Sequence, residues 1–167
     1  MKTKRNKNNK GFSLIELIIA VAILVVLSGL LAPQLIKYIE KSREAKDMQA
    51  IDSVYVAVST ALADEKAYTD FVEKTKDSKA LANITTDDGM KLADIIEDDG
   101  DFAKEVESIL GKKDIQLKSK RAQGDINVKV TNSGNVVAWA ANASADDKAD
   151  FTIGENAENG NEEIPTT

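Results

Sequence analysis

The amino-acid sequence predicts an α+β protein with one long N-terminal helix, membrane-spanning in its first half and amphipathic in its second. This helix is expected to pack against a C-terminal antiparallel β-sheet of three to four strands. Three observations predict this architecture: an apolar run near the N-terminus, a helical spacing of apolar residues beyond that run, and a two-residue spacing from about residue 114. The chain has 167 residues, about the length of one domain.

Composition excludes several classes of site. Lys and Arg number 22 and Asp and Glu number 28, a net charge of -6 that does not suggest a general nucleic-acid binder. The sequence has no Cys and no His, which excludes disulfides, Cys/His zinc sites and catalytic triads that need an imidazole base. It also has no glycine loop of the phosphate-binding or dinucleotide-binding type. We therefore expect no cofactor and no enzymatic activity.

The charges divide the chain into a basic leader and an acidic body. Residues 1–11 carry five basic residues and no acid. Without them, 17 basic residues face 28 acidic ones, a net charge of -11. Positive charge that precedes an apolar segment remains on the cytoplasmic side of a membrane. The acidic C-terminal body is therefore expected outside.

The apolar segment at residues 12–36 reads FSLIELIIAVAILVVLSGLLAPQLI and has a single charge, that of Glu16. As a helix it spans roughly 37 Å, enough to cross a hydrocarbon core of ~30 Å. A secretory signal peptide is the alternative, and residues 28–33, with a cut near Ala32, are its best cleavage site. The apolar segment exceeds the usual core of a signal peptide, so we predict a membrane-spanning helix.

Glu16 is an unusual residue for a membrane helix. A carboxylate there costs ~2.5–3.5 kcal/mol or more, and such residues usually have a partner and a function. The segment offers no basic residue on the same helix face, so the sequence predicts no partner for Glu16 within its own chain. Alternatively, Glu16 lies at the interface or is protonated.

The hexapeptide GFSLIE at residues 11–16 follows a short basic leader and opens the apolar run. In this setting it resembles the processing site of type IV prepilins, although Thr is more common where this chain has Ser13. The resemblance covers about the first third of the chain. It implies that a prepilin peptidase cuts after Gly11, removes residues 1–11 and methylates the new N-terminus at Phe12. It also implies that the Glu16 carboxylate pairs with the N-terminal amine of a neighbouring subunit.

The same resemblance implies a function, a location and a set of partners. The chain would be a structural subunit of a type IV pilus, a single-pass protein of the cytoplasmic membrane that is then polymerised into a surface filament. Implied partners are other copies of the chain, minor pilins, the prepilin peptidase, the assembly platform with its ATPase, and membrane lipid before assembly. The lack of cysteine is typical of a major pilin of Gram-positive type.

Three other functions remain open on the sequence. A minor pilin or a type II secretion pseudopilin would share the leader and the helix. A membrane-tethered surface binding module that never polymerises would explain the apolar segment. A binding module of this kind would not explain why the hexapeptide and Glu16 are present.

The helical spacing continues through residues 37–62, which are predicted to be amphipathic. The apolar positions are Tyr38, Ala45, Met48, Ile51, Tyr55, Val58 and Leu62. The charged residues between them are expected to be solvated, with Arg43 paired to Asp47. Gly29 and Pro33 interrupt the apolar half, either as a mild kink or as a break that opens when subunits pack.

The exterior segment at residues 63–153 is predicted to begin with short helices and to end in the sheet. The predicted helices cover residues 64–74, 88–97 and 101–110. In the last of these, Asp101 is the expected N-cap, Ile109 belongs to the apolar stripe, and Gly111 ends the helix.

The predicted strands follow from alternation. They are marked by Ile115 and Leu117, by Ile126, Val128 and Val130, by Val137, Trp139 and Ala141, and by Phe151 and Ile153. Residues 132–135, NSGN, predict a hairpin connection. Trp139 is expected to pack between sheet and helix.

Two acidic regions remain. Residues 154–167 form a polar, acidic tail. The Asp-rich stretches at residues 87–89 and 97–101 invite a calcium site, but Ile95 occupies the first ligand position of an EF-hand loop counted back from Gly100. We therefore expect solvated turns and no metal site.

Overall fold

A computed structural model describes residues 11–76, 80–111 and 115–154. The predicted leader, apart from Gly11, and the predicted tail beyond Gly154 lie outside these residues. The helices are α1 (Leu14–Ala61), α2 (Glu65–Lys74), α3 (Leu92–Glu97), α4 (Asp101–Leu110) and α5 (Ala145–Lys148). The strands are β1 (Met90–Lys91), β2 (Ile126–Val130), β3 (Val136–Ala140) and β4 (Thr152–Ile153). Two short 3₁₀ helices lie at Ala82–Thr85 and Ala149–Phe151.

The chain divides into two compact units, Met1–Ile39 and Glu40–Thr167. The first unit contains the apolar half of α1, in which every described side chain is exposed. Within the described residues, α1 is the one helix long and apolar enough to cross a membrane, with a mean hydropathy of 2.9 over its most apolar window. The helix continues through Gly29 and Pro33 without interruption. A break that opens on assembly stays a prediction.

In the second unit, one face of α1 lies in the core. Its buried residues are Asp47, Ile51, Val54, Ala57, Val58 and Ala61. Spacings of three and four residues place them on one side of the helix. The predicted stripe is therefore correct at Ile51 and Val58 and wrong at Tyr38 and Ala45, which are exposed.

Two carboxylates of α1 hold the loop that precedes β2. Asp47, only 4% exposed, accepts the amide of Lys118 at 3.0 Å and that of Ser119 at 2.6 Å. Two turns earlier, Glu40 accepts the amide of Lys120. We call this arrangement the carboxylate clamp. The prediction that these acids are solvated is wrong, because they satisfy backbone donors that have no strand partner.

Arg43 and Arg121 lie near the clamp. Arg43 pairs with Glu40 at 3.5 Å, so the predicted pairing with Asp47 is wrong. Arg121 pairs with Asp147 at 2.6 Å and lies 3.7 Å from Glu44. These contacts join α1, the loop and α5 at one place.

Helices α2 and α4 pack against each other. Asp64 caps α2 by accepting the amides of Lys66 and Ala67 at 3.0 Å each. The rings of Phe71 and Phe102 lie 5.0 Å apart between the two helices. These contacts confirm the predicted helices at residues 64–74 and 101–110.

The ends of α4 differ partly from the prediction. Gly111 ends the helix with φ 67, as expected of a left-handed cap. Asp101 is not the N-cap: Gly100 holds that position, and the Phe102 amide donates to Asp70 of α2 at 3.1 Å. Ile109 is 39% exposed rather than part of the buried stripe.

The sheet is antiparallel, with the order β1-β2-β3-β4. The predicted hairpin at residues 132–135 joins β2 to β3, and Gly134 adopts φ 84 there. The predicted strand at Ile115 and Leu117 is wrong, since the structure has only a single bridge between Leu117 and Gly124. The predicted helix at 88–97 contains the short strand β1 before α3. The sheet shares its core with α1, which confirms the predicted fold class.

Trp139 lies on the other face of the sheet from α1. Its strand partner is Asn127, whereas Val128 and Ala138 form a pair on the core face. Trp139 is 6% exposed, and the Lys148 ammonium lies 4.9 Å from the centre of its ring. The expectation that Trp139 packs between sheet and helix is therefore wrong.

Candidate functional site

The bond between Gly11 and Phe12 precedes the first turn of α1. Phe12 is 87% exposed, and no atom lies within 4 Å of where a side chain on Gly11 would begin. Both residues are therefore accessible in the described part of the chain. The resemblance to prepilins implies that they are the cleavage and N-methylation site, which stays a prediction, and this bond lies outside any helix or strand.

Glu16 closes the first turn of α1. The backbone amide of Ser13 donates to Glu16 Oε2 at 2.9 Å, and the carbonyl oxygen of Ser13 accepts the amide of Leu17 at 3.1 Å. This is one half of a capping box, in which the third helical residue satisfies the amide of the N-cap residue. The prediction that Glu16 lacks a partner in its own chain is wrong. The S-x-x-E spacing of residues 13–16 is the sequence signal that reveals this partner.

The capping bond uses one carboxylate oxygen. Among the described residues, Glu16 Oε1 makes no hydrogen bond and no ion pair. A carboxylate offers about four lone-pair sites, so Glu16 retains acceptor capacity after it caps the helix. The predicted pairing with a neighbouring amine stays a prediction, but this geometry leaves an oxygen for it.

The first unit presents a long apolar surface on both sides of Glu16. Its large exposed side chains are Leu14, Ile15, Leu17, Ile18, Ile19, Val21, Ile23, Leu24, Val25, Val26, Leu27, Leu30, Leu31, Leu35 and Ile36. A surface of this kind is stable only in lipid or against another apolar surface. The candidate site therefore combines an accessible Gly-Phe bond, a carboxylate at the helix start, and an apolar half of α1 whose described side chains are all exposed.

The Asp-rich turn between α3 and α4 has a structural role. Lys74 of α2 pairs with Asp98 and lies 3.7 Å from Asp70 and 3.6 Å from Asp99. The Gly100 amide also donates to Asp98 at 2.8 Å. Across residues 11–76, 80–111 and 115–154, no group of three or more acidic, Cys or His side chains is arranged to hold a metal.

The Lys74 pair changes the pKa of Asp98. Burial alone would raise the pKa of this carboxyl, but hydrogen bonds from Lys74 and Gly100 hold the pKa below its usual value. A depressed pKa in the folded state stabilises the protein above the unfolded pKa of about 3.9, and the effect disappears as pH falls through the folded pKa.

We expect Asp98→Asn to lower the free energy of unfolding at pH 7 by about 1–2 kcal/mol, because a charge-assisted hydrogen bond is lost. The difference from the unaltered chain should begin to shrink as pH falls below the unfolded pKa of about 3.9, where the unfolded chain gains the proton, and should disappear below the depressed folded pKa of Asp98. Urea unfolding at pH 7 and at a series of acidic pH values measures this change. Asp88→Asn, at an exposed position without an ion pair among the described residues, is the control. Equal stability at pH 7 would contradict the expectation.

Comparisons with known proteins concern the same N-terminal region. Residues 6–32 match the family model described as the prokaryotic N-terminal methylation motif. Over 69 residues the chain is 32% identical to the type IV major pilin protein PilA of Myxococcus xanthus (strain DK1622), which covers 41% of this chain and 31% of that protein. Over 57 residues it is 40% identical to the type IV major fimbrial protein FimA of Dichelobacter nodosus, which covers 34% of this chain and 36% of that protein.

The chain spans about a third of the length of the curated relatives that it matches. No solved structure matches the chain significantly. The fold of the exterior unit therefore rests on the structure described above. The methylation motif, the exposed apolar segment that it opens, and the similarity of the N-terminal region to two major pilins support a type IV pilin.

Proposed function

We propose that this chain is the structural subunit of a type IV pilus, processed after Gly11 and polymerised through the apolar half of α1. Type IV pilins form surface pili, and their apolar N-terminal helix is anchored in the membrane before assembly. They are structural subunits rather than enzymes. The observation that carries the proposal is the accessible Gly-Phe bond directly before the apolar half of α1, whose described side chains are exposed.

Processing changes the charge of the segment that must leave the membrane. Removal of residues 1–11 takes away all five leader charges and creates one amine at Phe12, whose reference pKa is ~7.7–8.0. The helix then carries one positive group and one carboxylate instead of a polybasic tail. Extraction no longer requires five cytoplasmic charges to cross the hydrocarbon core.

Glu16 is proposed to align neighbouring helices in the filament. Its Oε2 caps its own helix, while Oε1 accepts from the Phe12 amine of a neighbouring subunit. Such a pair within an apolar bundle fixes the register of the helices, as a single polar residue does in a coiled coil.

The other partners follow from this function. They are the prepilin peptidase, the assembly platform with its ATPase, minor pilins, and membrane lipid before assembly. Both relatives are named as major subunits, which supports a major pilin over a minor pilin or a pseudopilin. Electron microscopy of sheared filaments with an antibody to the exterior unit tests this: labelling along the shaft supports a major subunit, and labelling confined to tips contradicts it.

We expect Gly11→Val to block processing, because the branched side chain enters the space that a peptidase must occupy at the bond. The product should stay in the membrane with its leader, 11 residues longer than the mature chain. Immunoblotting of membrane fractions measures the difference. The matched control is Gly29→Val within α1, where the structure also has open space, and this chain should be shortened normally. A Gly11→Val chain of mature length would contradict the proposed cleavage site.

A further inference from the structure

Four exposed lysines surround the carboxylate clamp in the second unit. They are Lys41, Lys46, Lys118 and Lys120, which we call the basic collar. Glu40 and Asp47 are the neighbours of Lys41 and Lys46 in the chain. Their carboxylates accept backbone amides of the loop instead of pairing with these lysines. Among the described residues, none of the four ammonium groups forms an ion pair. The collar is thus an unpaired basic surface on a subunit whose mature net charge is -11.

A surface of opposite charge lies on other elements of the same unit. At the junction of α3 and α4, Glu97, Asp99 and Asp101 are exposed, and we call them the acidic turn. Lys74 compensates part of this charge, since it also lies between Asp98 and Asp70. The acidic turn contacts α2, which follows the C-terminal end of α1. The basic collar instead lies around the first turns of α1 within the second unit.

We propose that the basic collar of one subunit docks on the acidic turn of a second copy of this chain in the filament. The inference rests on the proposed pilus function. A contact between two different surfaces of identical subunits is heterologous, and repetition of such a contact generates an open helical filament. Opposite charges favour this contact and set its orientation. Two collars repel each other, which disfavours a closed two-fold dimer.

Charge reversal tests the contact. Lys118→Glu with Lys120→Glu should reduce the yield of sheared filaments at least tenfold relative to the unaltered chain. Asp99→Lys with Asp101→Lys, added to the same chain, should restore the yield to within about threefold. The matched control is Lys66→Glu with Lys76→Glu, which makes the same change in net charge on exposed residues elsewhere. The control should assemble within twofold of the unaltered chain.

New glutamates beside the clamp also repel Glu40 and Asp47. Lys118→Gln with Lys120→Gln therefore accompanies the reversal, because it removes the collar charge without that repulsion. We expect it to unfold in urea like the unaltered chain and to assemble about threefold less well. Normal filament yield from the glutamine pair and the glutamate pair would overturn the proposal. A reduced yield that the acidic-turn reversal does not restore would overturn it too, and would indicate a different partner such as anionic lipid headgroups.

Site-specific cross-linking gives an independent measurement, because the chain has no native cysteine. Filaments of a chain with both Lys120→Cys and Asp99→Cys should yield a ladder of cross-linked multimers with a short bismaleimide. Each single variant should stay below the trimer. If the double variant forms filaments but gives no ladder of cross-linked multimers, the contact is refuted and the pilus function is not. Absence of filaments from the unaltered chain would instead refute the pilus function.

Discussion

Glu16→Leu is expected to leave a processed subunit in the membrane and to reduce surface filaments more than tenfold. Leucine favours membrane insertion, so the amount of membrane-held chain should not fall. Each assembled subunit, however, would leave the Phe12 amine of a neighbour without its carboxylate. Removal of one partner of a buried ion pair costs about 3–5 kcal/mol. Immunoblots of sheared filaments and of membranes from the same cells give the two quantities.

Glu16→Gln separates the two roles of this side chain. Its amide oxygen still accepts from the Ser13 amide, so the start of α1 stays capped, but the charge is gone. We expect it to assemble almost as poorly as Glu16→Leu. Ser13→Ala, which keeps the backbone donor, should assemble nearly normally. Filaments at normal yield from Glu16→Gln would mean that Glu16 acts as a helix cap and not as a partner of the amine.

Asp47→Ala is expected to destabilise the exterior unit by about 2–4 kcal/mol. The change removes the acceptor for the amides of Lys118 and Ser119, and Ser119 is fully buried, so water cannot replace the carboxylate there. Urea unfolding of the full chain in detergent measures the loss.

Asp52→Ala is the matched control, because Asp52 lies exposed on the same helix. We expect it to change stability by no more than about 0.5 kcal/mol. Asp47→Asn retains one oxygen acceptor and should fall between the control and Asp47→Ala. Unfolding of Asp47→Ala at the same urea concentration as the control would show that the clamp does not support the fold.

Local patterns in the sequence predicted the elements that depend on near neighbours. The apolar segment at residues 12–36 is long enough to specify its helix without tertiary contacts. Helix α4 ends at Gly111, where the left-handed conformation favours glycine. The hairpin between β2 and β3 follows from turn residues flanked by alternation.

Elements that depend on distant partners were missed. The alternation at Ile115 and Leu117 predicts a strand, but the amides that follow donate to Asp47, 71 and 72 residues away. No local pattern distinguishes a clamped loop from a strand. Strand β1 has only two residues and is defined by its pairing with β2. Because two residues show no alternation of their own, the sequence does not distinguish them from the first turn of α3.

The face of Trp139 was mispredicted for a different reason. All five residues of β3 are buried, so both faces of the strand are apolar and the two-residue period does not identify the core side. The pairing register with β2 decides which face of β3 points to the core, and in this register Trp139 lies opposite Asn127. Asp101 is not the N-cap because the helix starts one residue earlier than predicted, with Gly100 as N-cap, and Asp70 on another helix accepts the Phe102 amide that a Gly100 side chain cannot.

The candidate site lies in one short motif, so its residues can be located from the sequence alone. Gly11, Phe12 and Glu16 are close neighbours in the chain, and their roles in processing and assembly stay predictions. The capping bond of Glu16 was not predicted, although the S-x-x-E spacing of residues 13–16 is a signal for it, because the same residues also fit a carboxylate without a partner in an apolar helix.

The intact mass of the subunit from sheared surface filaments tests the central claim most directly. We predict a chain that begins at an N-methylated Phe12, without residues 1–11. The same measurement on filaments of Glu16→Gln, if any form, should give the same N-terminus, because processing precedes assembly. A filament subunit that retains its leader, or a mature chain that begins after Ala32, would contradict the assignment of residues 11–16 as the processing and assembly site.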